Sequence, residues 1–445
     1  MRKLLDSRKL QAVIFWILIL LVVIGIYPGT GGEGGQRDLV GLDQKTDWWN
    51  FGTAALYGLW PNGLLPWAYT LTIIQLIIYA VGVYLIAKSF NPGANQKILT
   101  GISLIGALFV CQLWRDATLF SIQTLSIGLV AQLKTLKHRT DFIIVLLALS
   151  LNLISGLFKP IFAPIGVLIF FLVVATKTRN SGYKKLIAVC VLLFAPVPFA
   201  ADRQLNKTFD LVKSYPDQQV YIYDLAKLYC WGFSPDTVLE SKKALKPLLT
   251  SPDNFEAVCA SLSPTGWDAL RVRIPEVSSS PALQPLVSAQ GIELHNLRES
   301  WIQIIAAKPI DWLMTKTSDG AQVLFMANAF HMPGLYAEDS ESWILKSGNW
   351  LIQALLLPIL ILDKIRFFSI GFTLFIGALL VYFNRTRSNF SLPKERALFA
   401  FLTLNVITLG FATLAFIANN GRYVLPYMFL SYFYLLIALE KSRTN

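Results

Sequence analysis

Three carboxylates fall within ten residues near the amino end of the chain, at Asp38, Asp43 and Asp47. Tryptophans follow at once, Trp48 and Trp49, and then Trp60 beside Pro61. This combination suits a polar sugar held beside an apolar phase. An indole face stacks on a sugar ring, and a carboxylate accepts a hydroxyl proton. The same residues also suit a solvated loop with an aromatic belt where lipid meets water. Spacing alone leaves both readings open.

Further along, charges interrupt apolar stretches at three short breaks. Trp114-Arg115-Asp116 separates two apolar runs, Lys159 stands in Phe158-Lys159-Pro160, and Arg422 lies in Asn420-Gly421-Arg422-Tyr423. A charge at a membrane edge is costly unless it has a task. Arg115 can contact a phosphate and Asp116 can orient it; alternatively the two form an ion pair that caps helix ends. Arg422 reads equally as a headgroup anchor or a phosphate ligand. Other chemistries find little footing. His138, His295 and His331 are far apart, and no Cys or His cluster has metal-ligand spacing. The glycine-rich stretch 29–35 lacks the Lys-Ser/Thr of a phosphate-cradling loop, and no Gly-x-Ser-x-Gly elbow occurs. No metal site is assigned and no cofactor is firmly implied; a divalent metal remains compatible.

The elements that must position these residues are read from hydropathy. Of 445 residues, 54% are hydrophobic and only 15% charged, against about 25% charged in an ordinary soluble domain. Apolar runs long enough to span a bilayer, about 20 residues each, recur along the chain. They are expected at 13–27, 64–87, 98–113, 118–133, 142–157, 161–175, 186–200, 365–383, 398–418 and 423–439. A thirteen-residue piece at 350–362, broken by Pro358, reads as interfacial or re-entrant, so the count is ten, or eleven if it crosses. The fold class is an all-α polytopic membrane bundle with an extracytoplasmic, mainly helical soluble domain. Residues 1–200 form a seven-helix membrane module with an acidic first outer loop at 28–63. Residues 201–349 form the soluble domain, and 350–445 the final membrane helices.

Charge fixes the orientation. The net charge is +12, yet residues 202–346 hold 17 of the 27 acidic and only 13 of the 39 basic residues. The positive excess sits in short loops between spans, where Lys and Arg mark the inner side, so nucleic acid is not an expected partner. Arg2, Lys3, Arg8 and Lys9 precede the first apolar run, and no small-x-small cleavage pattern follows it. The expectation is an integral, multi-pass protein of the plasma (inner) membrane with a cytoplasmic N-terminus and the bilayer as partner. Cys230 and Cys259 share the outer domain, which favours a disulfide over two free buried thiols.

The layout resembles the polytopic glycosyltransferases of the GT-C class, nearest the family 39-like bacterial membrane proteins. Similar elements, in order, are the acidic first loop ending in aromatics and Pro, Trp114-Arg115-Asp116, Lys159-Pro160, Tyr223-Asp224-Leu225-Ala226 in the outer domain, and Arg422-Tyr423-Val424-Leu425-Pro426. Members often carry an adjacent acidic pair in the first loop; here the acids are separated. The resemblance implies transfer of a sugar from a polyprenyl-phosphate donor to an unidentified acceptor at the outer face, with inversion. It casts Asp47 as the foremost base, with Asp43 and Asp38 behind it. Arg115, Lys159 and Arg422 would bind the donor phosphate, Asp116 and Asp224 would orient groups, and Trp48, Trp49 and Trp60 would stack on sugar. The rivals are a transporter or flippase of a lipid-linked or polar solute, and a glycan polymerase or ligase. Charges at the edges rather than mid-membrane favour transfer.

Overall fold

The computed structural model describes residues 65–91, 93–110, 115–134, 136, 138–178, 181–209, 218–251, 255–262, 272–273, 285–325, 361, 369–386, 392–415 and 424–444. The expected first span at 13–27, the loop at 28–63 and, apart from Ile361, the piece at 350–362 lie outside them, as does the expected domain boundary at 349. What is described is mostly helical. The only strands among the described residues are β1 (Val272–Arg273) and β2 (Leu286–Val287), a short parallel pair.

A first bundle contains α1 (Leu65–Lys88), α2 (Ala94–Val110), α3 (Arg115–Ala131), α4 (Arg139–Gly156) and α5 (Ala163–Thr176). A 3-10 turn, Pro160–Phe162, links α4 to α5. Then come α6 (Ser181–Phe194) and α7 (Val197–Thr208). The segments Arg139–Gly156, Lys185–Thr208 and, later, Lys394–Leu414 are long and apolar enough to cross a membrane. Ile73–Lys88, Asp116–Ala131, Pro160–Thr176 and Ile370–Tyr382 are shorter apolar helices. The sequence reading stops the seventh span at residue 200. The helix instead continues to Thr208, because Asp202, Arg203 and Asn206 add a polar turn to it, with Asn206 Nδ2 3.3 Å from Asp202 Oδ2.

The bundle is apolar outside and partly polar inside. Ile143, Leu146 and Leu147 on α4 and Leu186, Leu192 and Leu193 on α6 are exposed. Ser121, Gln123, Thr124 and Ser126 on α3 are enclosed. α3 is the hub, and α1 lies close against it. A Cβ on Gly82 would stand 2.6 Å from the Leu125 backbone nitrogen, and one on Gly128 would stand 2.5 Å from the Gly82 carbonyl oxygen. Small residues at both positions let the backbones approach, as at helix crossings where hydrophobic burial gives no driving force. Phe120 fills the centre, 5.2 Å from Tyr79 and 5.6 Å from Phe429 between ring centroids.

A second module follows. It comprises α8 (Gln218–Trp231), α9 (Pro235–Leu245), α10 (Phe255–Ser261), α11 (Gly291–Ala307) and α12 (Pro309–Phe325). Its core includes Ile222, Leu225, Leu228, Leu245, Val258 and Leu297. A disulfide joins Cys230 to Cys259, with Cα atoms 5.6 Å apart, and ties α8 to α10. Gln218 accepts the Ala289 N–H at 2.6 Å, which fastens the start of α8 to the chain just before α11.

The last helices are α13 (Ile370–Thr386), α14 (Leu392–Ala415) and α15 (Leu425–Thr444). α12 belongs to both halves of the molecule. Its first turns carry Asp311, which accepts the Thr237 hydroxyl at 2.7 Å. Its last turn carries Leu324, packed with Ile370, Ala412, Val424 and Met428. The 17-residue helix is about 25 Å long and so fixes the second module to the final helices.

Candidate functional site

Turns gather at two opposite ends of the first bundle. One end is basic. There Glu440 accepts the Asn91 N–H and the Asn95 side-chain amide, both at 2.9 Å. Lys177 donates to the Ala131 carbonyl at 2.8 Å and Lys441 to the Lys134 carbonyl at 2.9 Å. The other end collects the starts of α3 and α15, the end of α2 and the turn between α4 and α5. α1 runs alongside α3 in the same direction: Gln75 accepts the Thr118 hydroxyl at 3.0 Å, and Tyr79 packs on Phe120 further along. Leu65, the start of α1, therefore lies at this second end.

At that end Lys159 and Asp116 meet. Lys159 Nζ lies 2.7 Å from Asp116 Oδ1, and the side chains are only 4% and 6% exposed. Lys159 stands immediately before the Pro160–Phe162 turn, where proline ends the preceding helical run; Asp116 sits in the first turn of α3. A carboxylate is favoured at a helix N-terminus, and the ammonium offsets the cost of burying it. The Lys159 ammonium also lies 5.4 Å from the centroid of the Phe162 ring, which stacks on Tyr427 at 5.0 Å. Tyr427, on α15, is close enough to Asp116 for the carboxylate to act on it electrostatically, and its hydroxyl has no partner among the described residues.

The structure sets Asp116 against Lys159, two charges that belong to separate turns in the sequence. Arg115 begins α3 at the same end. Asp38, Asp43, Asp47, Trp48, Trp49, Trp60 and Arg422 lie outside the described residues.

Asp224 belongs to a different cluster, inside the second module. Its Oδ2 accepts the indole N–H of Trp301 at 3.1 Å and of Trp312 at 2.8 Å. Lys316 Nζ lies 2.7 Å from Oδ1, an ion pair whose angles are not those of a hydrogen bond. Lys227, one turn further along α8, is fully buried, 4.5 Å from the Tyr223 ring centroid and 5.5 Å from that of Trp231. Burial, aided by the Lys316 charge and opposed by Asp224, lowers the Lys227 pKa to about 7. Nothing in the sequence marks Trp301, Trp312, Lys227 and Lys316 as one cluster. Their only signal was aromatic and basic residues on the apolar sides of short helices, which is also what an ordinary core looks like.

Among the described residues no group of three His, Cys, Asp or Glu side chains could hold a metal ion. No protein-family model, no curated protein and no solved structure matches this chain.

Proposed function

We propose that the chain is a multi-pass membrane glycosyltransferase that moves a sugar from a polyprenyl-phosphate donor to an acceptor at the outer face. The observation that carries the reading is the enclosed Asp116–Lys159 pair at the end of the bundle where α1, α3 and α15 begin. The apolar outward faces of α4 and α6 suit lipid, and the Lys-rich opposite end suits the cytoplasmic side. The acidic second module, held at the Asp116 end through α12, is then extracytoplasmic, where its disulfide is stable.

In this mechanism the acceptor hydroxyl oxygen bonds to the anomeric carbon while the carbon–oxygen bond to phosphate breaks. The electron pair leaves on the polyprenyl phosphate, and the hydroxyl proton passes to a first-loop carboxylate, Asp47 foremost, with Asp43 and Asp38 as the other candidates. General-base help of this kind is worth about 10²–10⁴ in rate. Arg115, Lys159 and Arg422 supply positive charge for the leaving phosphate, and Asp116 holds the Lys159 ammonium in place. Trp48, Trp49 and Trp60 offer stacking faces. Asp224 acts further off, by fixing Trp301 and Trp312 in the second module. The polar side chains enclosed along α3 favour one second reading, a transporter or flippase of a lipid-linked or polar solute.

The test is glycan output in cells that depend on this protein. Changing Asp38, Asp43 and Asp47 to Asn, singly and together, should abolish the product in at least one single variant and in the triple variant. Full product from the triple variant rules out the transferase reading. Unchanged glycan chemistry with lost movement of the lipid-linked sugar across the membrane assigns the chain to the second reading.

A further inference from the structure

Directly beneath the Asp116–Lys159 pair lies a set of neutral polar groups that the proposed chemistry does not use. Gln123 is seven residues past Asp116 on α3, Asn152 is seven before Lys159 on α4, and Gly166 is seven after it on α5. On α3 seven residues are about two turns, or about 10 Å, and across the α4–α5 turn Asn152 and Gly166 stand equally far in sequence from Lys159. They also meet. Asn152 Nδ2 is 3.5 Å from the Gly166 carbonyl oxygen, and a Cβ on Gly166 would collide with the Gln123 side-chain amide. The missing side chain at Gly166 is what makes room for Gln123.

These groups are enclosed and underused. Gln123 is 0% and Asn152 2% exposed. Neither the nitrogen nor the oxygen of the Gln123 amide has a partner among the described residues, and the Asn152 side-chain oxygen has none either. A buried amide without a hydrogen bond costs about 1–3 kcal/mol on mutational scales. Three such atoms around one glycine are therefore expensive unless something bonds to them. Their chemistry selects the occupant. The cluster presents N–H donors and carbonyl acceptors side by side and no charge, which complements a hydroxyl group, itself donor and acceptor at once. A phosphate or carboxylate would meet the acceptor oxygens unfavourably.

We propose that Gln123, Asn152 and the Gly166 carbonyl form a binding site for a hydroxyl group, reached from the Asp116–Lys159 end and hydrated when no larger ligand is bound. Both water and a sugar-like polyol carry the required group. The site goes beyond the transferase reading and depends on membrane placement only through its control.

The experiment is thiol labelling of the full-length protein in membranes. Methanethiosulfonates react with the thiolate, which forms only where water reaches the sulfur. Gln123→Cys and, as a lipid-facing control, Leu146→Cys are treated with methyl methanethiosulfonate, and modification is followed peptide by peptide. Asn152→Cys replaces the Gln123 variant if that variant does not fold. The expected result is labelling at the buried position roughly tenfold or more faster than at Leu146, given the thiolate requirement. Slowing by a soluble methyl glycoside identifies a polyol as occupant, and fast labelling without such slowing identifies water. Labelling at residues 123 and 152 as slow as at Leu146 overturns the site. Rapid labelling at Leu146 leaves the site standing and overturns the membrane placement instead.

Discussion

Lys159 and Asp116 stand 43 residues apart in the chain, yet their charged atoms lie 2.7 Å from each other in an almost sealed environment. Breaking a buried ion pair by removing one member typically costs about 3–5 kcal/mol. Lys159→Met and Asp116→Leu should each destabilise the purified protein strongly. The double variant should recover a large part of the loss, because the desolvation cost of both charges is then removed together with their attraction. Thermal unfolding in detergent of the four proteins checks this, and strictly additive losses would show that the two residues act independently.

The pair also shows what was legible beforehand. Lys159 and Asp116 stood out in sequence because each interrupts an apolar run at a short turn. Their partnership did not, since it depends on how α3 packs beside the link between α4 and α5. Helix ends were read to within a few residues where basic loops and prolines mark them, as at Lys88, Arg139 and Thr176. They were misread where a helix extends past the apolar run, as α7 does to Thr208. Asp224 was noticed only through resemblance, and Trp301 and Trp312, 77 and 88 residues away, carried no local sign of sharing it. Nothing in the sequence singles out the Gln123 and Asn152 amides, because single polar residues inside apolar runs are common.

The Cys230–Cys259 bridge closes a loop of 29 residues within the second module. Cross-links of that span stabilise by roughly 2–4 kcal/mol. Reduction, or Cys230→Ser with Cys259→Ser, should lower the unfolding temperature of the module while leaving the first bundle unaffected. Limited proteolysis of the second module reports it: cleavage should accelerate on reduction and in the variant, and equal rates would mean the bridge contributes little.

At the crossing of α1 and α3 there is no space for a side chain. Gly82→Leu should separate the two helices and cost several kcal/mol, because added bulk in a packed interface typically costs about 1–3 kcal/mol even where repacking is available. Here the obstruction is backbone, the Leu125 nitrogen 2.6 Å from a Cβ, which cannot repack. Gly101→Leu, where a Cβ meets nothing within 4 Å, is the matched control and should be near neutral. The readout is the fraction of monodisperse protein recovered after mild heating.

Lys227 makes the stability of the second module depend on pH. Its pKa falls from 10.5 to about 7 on folding, chiefly through burial, with the nearby Lys316 charge adding to the fall and Asp224 opposing it. Between those values the folded amine is neutral while the unfolded one carries a proton. The unfolded state then binds more protons, so stability rises with pH across that window, by up to about 1.4 kcal/mol per unit. Below about pH 7 both states are protonated and this contribution is flat, at its least favourable level. Above about pH 10 the trend reverses, because burial raises the Tyr223 hydroxyl above its ordinary value of 10.0 and the unfolded state loses that proton first. Unfolding midpoints measured from pH 6 to 10 should therefore climb in the wild type and flatten in Lys227→Met. An equally steep climb in the variant would place the titration elsewhere and make Lys227 a charged, solvated group.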